Sequence, residues 1–307
     1  MKLQVVIPAH NEQENIVRVI DELIDKISKI DLITSYNIVV VDDHSSDSTF
    51  SKVKALNQPH VKCIRLSRRS GSHTAIRAGL QQSTGDVTLC ISADGQDNCN
   101  ILGEMILKIK EGSNIVWGLR KKRDEDFRSE LFARWFYFVL GLLTKNNKDI
   151  DYSRADYYLM DKRVLNSINS CNEKNTSLFG LLIWIGFNQT YVEYDRRERL
   201  SGNSKWNFNS RVKLAKDWIF SFSGVPIKLI SWLGYLSAGV GIIYSIILFI
   251  WALLGKTSPG WAENAITILI VSGIQMLMLG IVADYVLRNL DESRNRPLYF
   301  IEKESNE

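Results

Sequence analysis

Cysteine is scarce in this chain, with only Cys63, Cys90, Cys99 and Cys171 among 307 residues. None stands at CxxC spacing and most have apolar neighbours, which excludes a zinc ribbon and fits reduced core thiols better than a disulfide framework. Glycine-rich phosphate loops are also missing. Neither GxGxxG nor Gly-x4-Gly-Lys-Ser/Thr occurs, so the sequence offers no cradle for a dinucleotide cofactor or a P-loop nucleotide. Net charge is nearly absent, since 38 Lys and Arg against 34 Asp and Glu leave +4, too little to imply a nucleic-acid partner. The opening Met1-Lys2-Leu3-Gln4 enters a strand-like run that ends at Pro8, too short for a secretory signal. Membrane insertion, if any, is therefore expected from the C-terminal segments.

Those segments are long and apolar. Leu229–Leu254 and Ala265–Ala283 contain no charged residue, and each approaches or exceeds the length of about 20 residues that crosses a bilayer. Between Arg196 and Lys228 stand eight Lys and Arg (Arg196, Arg197, Arg199, Lys205, Arg211, Lys213, Lys216, Lys228) against Glu198 and Asp217. Such a basic stretch beside a span marks the cytoplasmic face and attracts anionic lipid. The connecting loop 255–264 carries only Lys256 and Glu263, so the expectation is a two-helix hairpin with both termini cytosolic. Trp206, Trp218, Phe220 and Phe222 interleave with Arg211, Lys213 and Lys216, which reads as an interfacial amphipathic helix or, alternatively, as a core-packing one. Gly234, Ala238, Gly239 and Gly241 give the first span a small-residue face for its hairpin partner or for another copy in a homo-oligomer. The expected layout is a cytosolic domain over 1–205, a juxtamembrane segment over 206–226, spans within 227–288 and a cytosolic tail over 289–307.

Upstream, short runs rich in Val and Ile alternate with amphipathic segments of helix length. The order is Leu3–Ile7 then Glu12–Ile30, Tyr36–Val41 then Ser48–Leu56, Val61–Leu66 then His73–Gln82, Val87–Ile91 then Asn98–Glu111, and Ile115–Trp117. This pattern predicts an α/β fold with a doubly wound, mostly parallel sheet covered on both faces. Ligands of such sheets bind beyond the carboxyl ends of the strands. The segments found there are polar and acidic: Pro8-Ala9-His10-Asn11-Glu12, Asp42-Asp43-His44-Ser45-Ser46-Asp47, Arg68-Arg69-Ser70-Gly71-Ser72-His73 and Ser92-Ala93-Asp94-Gly95-Gln96-Asp97. Carboxylates in those places suit hydrogen bonds to a base or ribose and a divalent cation shared with a diphosphate. Residue by residue, Asp43 serves equally as a turn or capping Asp, and Asp94 or, better placed, Asp97 as a cap for the helix near Asn98. His10 and His73 read as ordinary loop or helix-start residues, and Lys121-Lys122 as a solvated charge run.

In their order and spacing, these motifs resemble the GT-A fold glycosyltransferases of family 2. Within that family they are similar to the polyisoprenyl-phosphate enzymes, such as bactoprenol glucosyltransferases and dolichyl-phosphate mannose synthases. The resemblance spans nearly the whole chain, from Val5-Val6-Ile7-Pro8 to the apolar pair. It implies a Rossmann-like GT-A domain in which Pro8, His10, Glu12, Asp43 and Asp94 bind the nucleotide, with His10 standing where Tyr is usual. It implies Mg2+ or Mn2+ held by Asp94 and Gln96, with Ser92 replacing the first Asp of the metal motif. Arg120, Arg123, Arg196 and Ser204 match phosphate- or acceptor-binding positions, and Asp156, Arg199 and Lys205 match catalytic ones. Arg and Lys provide the donors that phosphate recognition needs. A phosphate monoester has a second pKa near 6 and is largely dianionic at neutral pH, so Asp156 is expected to orient the acceptor and to act as a base only for the monoanion.

The reaction so implied is inverting transfer of a sugar from a nucleotide-diphosphate donor, a UDP-sugar, to undecaprenyl phosphate or a similar polyprenyl phosphate at the cytosolic face of a bacterial inner membrane, for cell-envelope glycan modification. The partners would be a nucleotide sugar, a lipid phosphate and the membrane. A competing expectation, favoured by Ser92, is an inactive relative that acts as a scaffold for a flippase or a further transferase. A processive polysaccharide synthase fits less well, because Gln-x-x-Arg-Trp and additional spans are absent.

Overall fold

Leu3, Val5, Val6 and Ile7 are apolar on both sides of their strand and are all fully buried, as a strand covered by helices on both faces requires. They lie in β1 (Lys2–Ala9), the centre of an eight-stranded sheet. The computed structural model describes residues 1–121, 150–174, 176–197, 225–255 and 260–305. The chain divides into two units, Met1–Val212 with Pro297–Glu307, and Lys213–Arg296.

In the first unit β1 is followed by α1 (Ile16–Ile27), β2 (Ser35–Asp42), α2 (Thr49–Ala55), β3 (Val61–Leu66), α3 (Ser72–Gln81), β4 (Val87–Cys90), α4 (Leu102–Lys110) and β5 (Ile115–Arg120). Next come β6 (Ala155–Asp161), α5 (Lys162–Ser170), α6 (Leu178–Trp184), β7 (Gln189–Tyr194) and, from the C-terminal tail, β8 (Ile301–Glu304). The order across the sheet is β7-β5-β6-β4-β1-β2-β3-β8. β1, β2, β3 and β4 pair in parallel, as do β5 and β7, whereas β6 and β8 pair antiparallel with their neighbours. The mostly parallel sheet expected from the strand–helix alternation is present. Two features were not anticipated: β6 enters antiparallel between β4 and β5, and β8 closes the edge beside β3.

Helix α1 buries Ile16, Val19, Ile20, Leu23 and Ile27, the spacing of one helical stripe. Each such side chain contributes roughly 1.5–3 kcal/mol when fully buried. The helix starts at Ile16 rather than at Glu12, because Asn11 takes a left-handed φ of 53° and Asn15 is the N-cap residue. Helix α3 lies flush on β1 at Gly79, where a Cβ would run into Val6. Cys63, Cys90 and Cys99 are buried free thiols, and desolvation pushes Cys90 and Cys99 up to about 12. They titrate too high to supply a thiolate at neutral pH.

The second unit contains α7 (Val225–Leu253) and α8 (Trp261–Ser293). Within them Pro226–Trp251 has a mean hydropathy of 2.1 and Ile270–Ser293 of 1.8, so both are long and apolar enough to cross a membrane. Many of their apolar side chains are exposed, with Trp232 at 74% and Leu277 at 72%, an apolar surface far beyond what a water-facing helix tolerates.

Candidate active site

Six of the eight strands run in one direction, so their carboxyl ends share an edge. The strand order β4-β1-β2-β3 also makes the β1/β4 boundary a topological switch point, where open α/β sheets bind ligands. Near the end of β1, Pro8 pairs with Val41 and the last residue, Ala9, with Asp42. His10 therefore falls beside the turn that follows β2, and its Nδ1 lies 2.9 Å from the Asp43 carbonyl oxygen. Glu12 accepts from Asn15 Nδ2 at 2.9 Å, while its own N–H donates to Thr49 Oγ1 at 2.9 Å. The segments after β1 and β2 are thus sewn together before any ligand arrives.

Asp43 is 4% exposed and accepts the Ser70 and Gly71 N–H groups at 2.6 and 2.8 Å, one on each carboxylate oxygen. Gly71 has φ 91°, a conformation a side chain would strain. Each carboxylate oxygen has a second lone-pair direction, so Asp43 can anchor this loop and still accept an N–H from a base. The neighbouring Asp42 faces inward, pairing with Arg65 Nη1 at 2.9 Å.

On the other side of the switch point the segment after β4 folds around its own carboxylates. Asp94 Oδ1 accepts from the Gln96 N–H at 3.1 Å, and Gly95 turns the chain at φ 73°. Ser92 Oγ lies 2.8 Å from Asp94 Oδ1 and 2.6 Å from Asp97 Oδ2, and the Ser92 N–H donates to the same Asp97 oxygen at 2.9 Å. A hydroxyl has one proton to give, so both Oγ contacts are satisfied together when Asp97 itself is protonated. Burial pushes Asp97 up to about 6, against the Ser92 hydrogen bonds that favour its ionised form and with a further push from Asp156 and Asp94. The cap of the short 3₁₀ turn Cys99–Ile101 is Asn98, whose side chain accepts from the Asn100 N–H. Asp97 is not the cap.

The antiparallel direction of β6 places Asp156, its second residue, at the edge where β4 and β5 end. Asp156 Oδ2 accepts from Tyr194 Oη at 2.6 Å and lies 3.9 Å from Arg196 Nε. Tyr194 also reaches Asp97 Oδ1 at 3.4 Å. Burial and the two carboxylates raise the Tyr194 phenol far above its ordinary range, so it acts as a donor. Arg196 Nη2 donates to Gln96 Oε1 at 2.8 Å, and its Nε is buried with no hydrogen-bond partner among the described residues. A guanidinium with a buried donor unmet is suited to an incoming phosphate oxygen. Arg197 fastens the same corner, from Glu22 at 2.5 Å to Asn98 Oδ1 at 3.3 Å.

The structure therefore brings His10, Asp43, Asp94, Gln96, Asp156 and Arg196 to one edge, with Pro8 and Glu12 in its framework and Arg120 half-buried at the end of β5, paired with Tyr194. Arg123, Arg199, Ser204 and Lys205 lie outside the described residues, as does most of segment 206–226. Tyr194 and Ser92 as linkers of the carboxylates were missed from sequence. The only signal for Tyr194 was its place two residues before Arg196. Tyr158 is buried against Trp117 and Phe179.

Among the described residues no three His, Cys, Asp or Glu side chains gather around a cation position. The Gln96 amide oxygen accepts from Arg196, leaving Asp94 as the carboxylate best placed to hold an ion. One carboxylate fits Mg2+ or Mn2+ bound largely through diphosphate oxygens and water.

Residues 4–167 match the family model described as Glycosyl transferase family 2. The chain is 36% identical over 309 residues to the uncharacterized glycosyltransferase YkcC of Bacillus subtilis, covering 99% of this chain and 94% of that one. It is 31% identical to the prophage bactoprenol glucosyl transferase homolog of Escherichia coli K12, with 99% of each chain covered. Among solved structures, mannosyl-3-phosphoglycerate synthase from Rubrobacter xylanophilus is similar at a TM-score of 0.52 and 18% identity over 72% of each chain. Glucosyl-3-phosphoglycerate synthase from Mycobacterium tuberculosis, in complex with Mn2+, UDP-glucose and phosphoglyceric acid, is similar at 0.50 and 18%, over 71% of this chain and 79% of that one. These two likenesses concern the fold.

Proposed function

This chain belongs to glycosyl transferase family 2 and is a glycosyltransferase with the GT-A fold, and from that premise we propose that it transfers a sugar from a UDP-sugar to the phosphate of a polyprenyl phosphate, with inversion at the anomeric carbon. The observation that carries the reading is the convergence, at one sheet edge, of a donor half built from Asp43 and Asp94 and an acceptor half built from Asp156, Tyr194 and Arg196. A lipid acceptor is supported by the two apolar helices and by the full-length likeness to proteins named bactoprenol glucosyl transferase.

In this reading Asp43 accepts from the base and Asp94 holds the cation. Bound Mg2+ or Mn2+ would neutralise charge that builds on the departing diphosphate. Arg196 completes its unmet Nε on the acceptor phosphate, and Asp156 fixes the guanidinium and the phosphate for attack on the anomeric carbon. Arg120, Arg123, Arg199, Ser204 and Lys205 are proposed to add cationic and hydroxyl contacts to phosphate, in the electrostatic mode expected of such sites. Two crossings are also consistent with the tail, because β8 hydrogen-bonds to β3 and so returns to the unit that begins at Met1. An even number of crossings puts both termini on one face, the cytosolic face by the basic stretch 196–228.

The test is incubation of the purified chain with undecaprenyl phosphate, Mg2+ or Mn2+ and a panel of nucleotide sugars, reading lipid products by mass, with phosphoglyceric acid as a soluble rival acceptor. A sugar-phospholipid supports the proposal, and transfer to the soluble acceptor alone refutes it. Ser92 in place of the motif Asp favours a second reading, an inactive membrane scaffold. Intact nucleotide binding with no product from any donor would support that reading instead.

A further inference from the structure

The tail strand β8 reaches the donor half of the site chiefly through the Arg65 guanidinium, with His44 beside it. Glu302 Oε2 lies 3.2 Å from Arg65 Nε and 3.6 Å from His44 Nδ1, with Lys303 Nζ 3.7 Å from its other oxygen. The same guanidinium donates from Nη1 to Asp42 Oδ2 and from Nη2 to the Ser45 carbonyl oxygen, both at 2.9 Å. The Asp42 side chain is fully buried, so Arg65 is the cation that keeps it paired. One planar fork thus joins the tail to both ends of the turn Asp42–Ser45, from which Asp43 projects.

That turn needs holding. His44 sits at φ 55°, a left-handed conformation that a non-glycine residue keeps only when its surroundings enforce it. The Arg fork is fixed when all its edges are engaged, and Glu302 supplies the edge that the nucleotide-binding segments do not. The strand also carries a second ion pair, Lys62–Glu304 at 2.6 Å, which fastens it to β3 without touching the turn.

We propose that Glu302 is a positioning residue for the donor: through Arg65 it sets the Asp42–Ser45 turn, so nucleotide affinity depends on a tail that follows the second apolar helix. This rests on the reading of Asp43 as the base-recognising carboxylate. The tail is then part of the donor site rather than a trailing segment, and shortening the chain beyond the apolar helices would cost nucleotide affinity.

The experiment is calorimetric titration of the full chain in detergent with UDP, GDP, CDP and ADP, for the unaltered protein, Glu302→Gln and Glu304→Gln, with thermal unfolding and the acceptor KM measured alongside. The expected result is nucleotide affinity lowered roughly three- to ten-fold in Glu302→Gln, unchanged in Glu304→Gln, with the acceptor KM unmoved in both. Equal loss in the two variants, tracking a common fall in melting temperature, would mean the strand only stabilises the sheet and would overturn the proposal. Full affinity in Glu302→Gln overturns it as well. If the unaltered chain binds none of the four nucleotides, the donor reading itself fails and the inference falls with it.

Discussion

At the residue scale, Ser92 separates what the sequence could say from what it could not. Read along the chain, it is a lost carboxylate in a metal motif. In the fold its hydroxyl joins Asp94 to Asp97, a link that depends on a turn around Gly95 and could not be seen from spacing. Asp97 is a carboxylate held well above its ordinary range by burial. Its folded pKa of about 6 exceeds the unfolded value near 3.9, so the native state holds the proton more tightly. The stability it contributes is complete below about pH 4, is lost as pH rises through about 6, and amounts to roughly 3 kcal/mol across that window. Asp97→Asn should remove that slope, so that unfolding followed by tryptophan fluorescence at pH 4.5 and 7 differs less in the variant than in the unaltered protein. Tyr194→Phe deletes a 2.6 Å hydrogen bond to Asp156. Because a bond to a charged group is worth about 1.5–3 kcal/mol, turnover should fall roughly ten-fold or more while UDP binding, measured by calorimetry, stays level.

At the scale of elements, β1 to β5 and the helices between them were legible because each strand is an apolar run and each helix carries one apolar stripe. Strands β6 and β8 were not, for a physical reason in each case. β6 lies far along the chain from its partners β4 and β5, and its antiparallel entry leaves no local mark. β8 reads Ile-Glu-Lys-Glu, an edge strand with one apolar residue. Yet β6 delivers Asp156 to the site, so the resemblance could name that residue while pattern reading could not place it. The contact of α3 with β1 gives a sharp test. Ala in place of Gly79 gains helix propensity of about 1 kcal/mol, but its Cβ runs into Val6. Overpacking of that kind costs roughly 1–3 kcal/mol, so Gly79→Ala should lower the unfolding midpoint. A raised midpoint would show that the helix shifts freely.

At the scale of the whole molecule, the apolar helices interrupt one folded unit, since Pro297–Glu307 belong with Met1–Val212. If they cross a bilayer, the loop between them emerges on the face opposite both termini. In a Cys171→Ser background, which leaves only the three buried thiols, an impermeant maleimide applied to intact cells should label Ser258→Cys and spare Glu307→Cys. The reverse pattern would contradict the proposed orientation.

The central claim is that one sheet edge holds the donor on Asp43 and Asp94 and the acceptor on Asp156 and Arg196. It is tested most directly by initial rates of sugar-phospholipid formation, with donor and polyprenyl phosphate varied independently in the unaltered chain, Asp43→Asn and Asp156→Asn. The account predicts a raised donor KM in Asp43→Asn, and in Asp156→Asn a fall in kcat or a rise in acceptor KM with the donor KM unchanged. An Asp156→Asn variant that binds donor poorly but acceptor normally would contradict it.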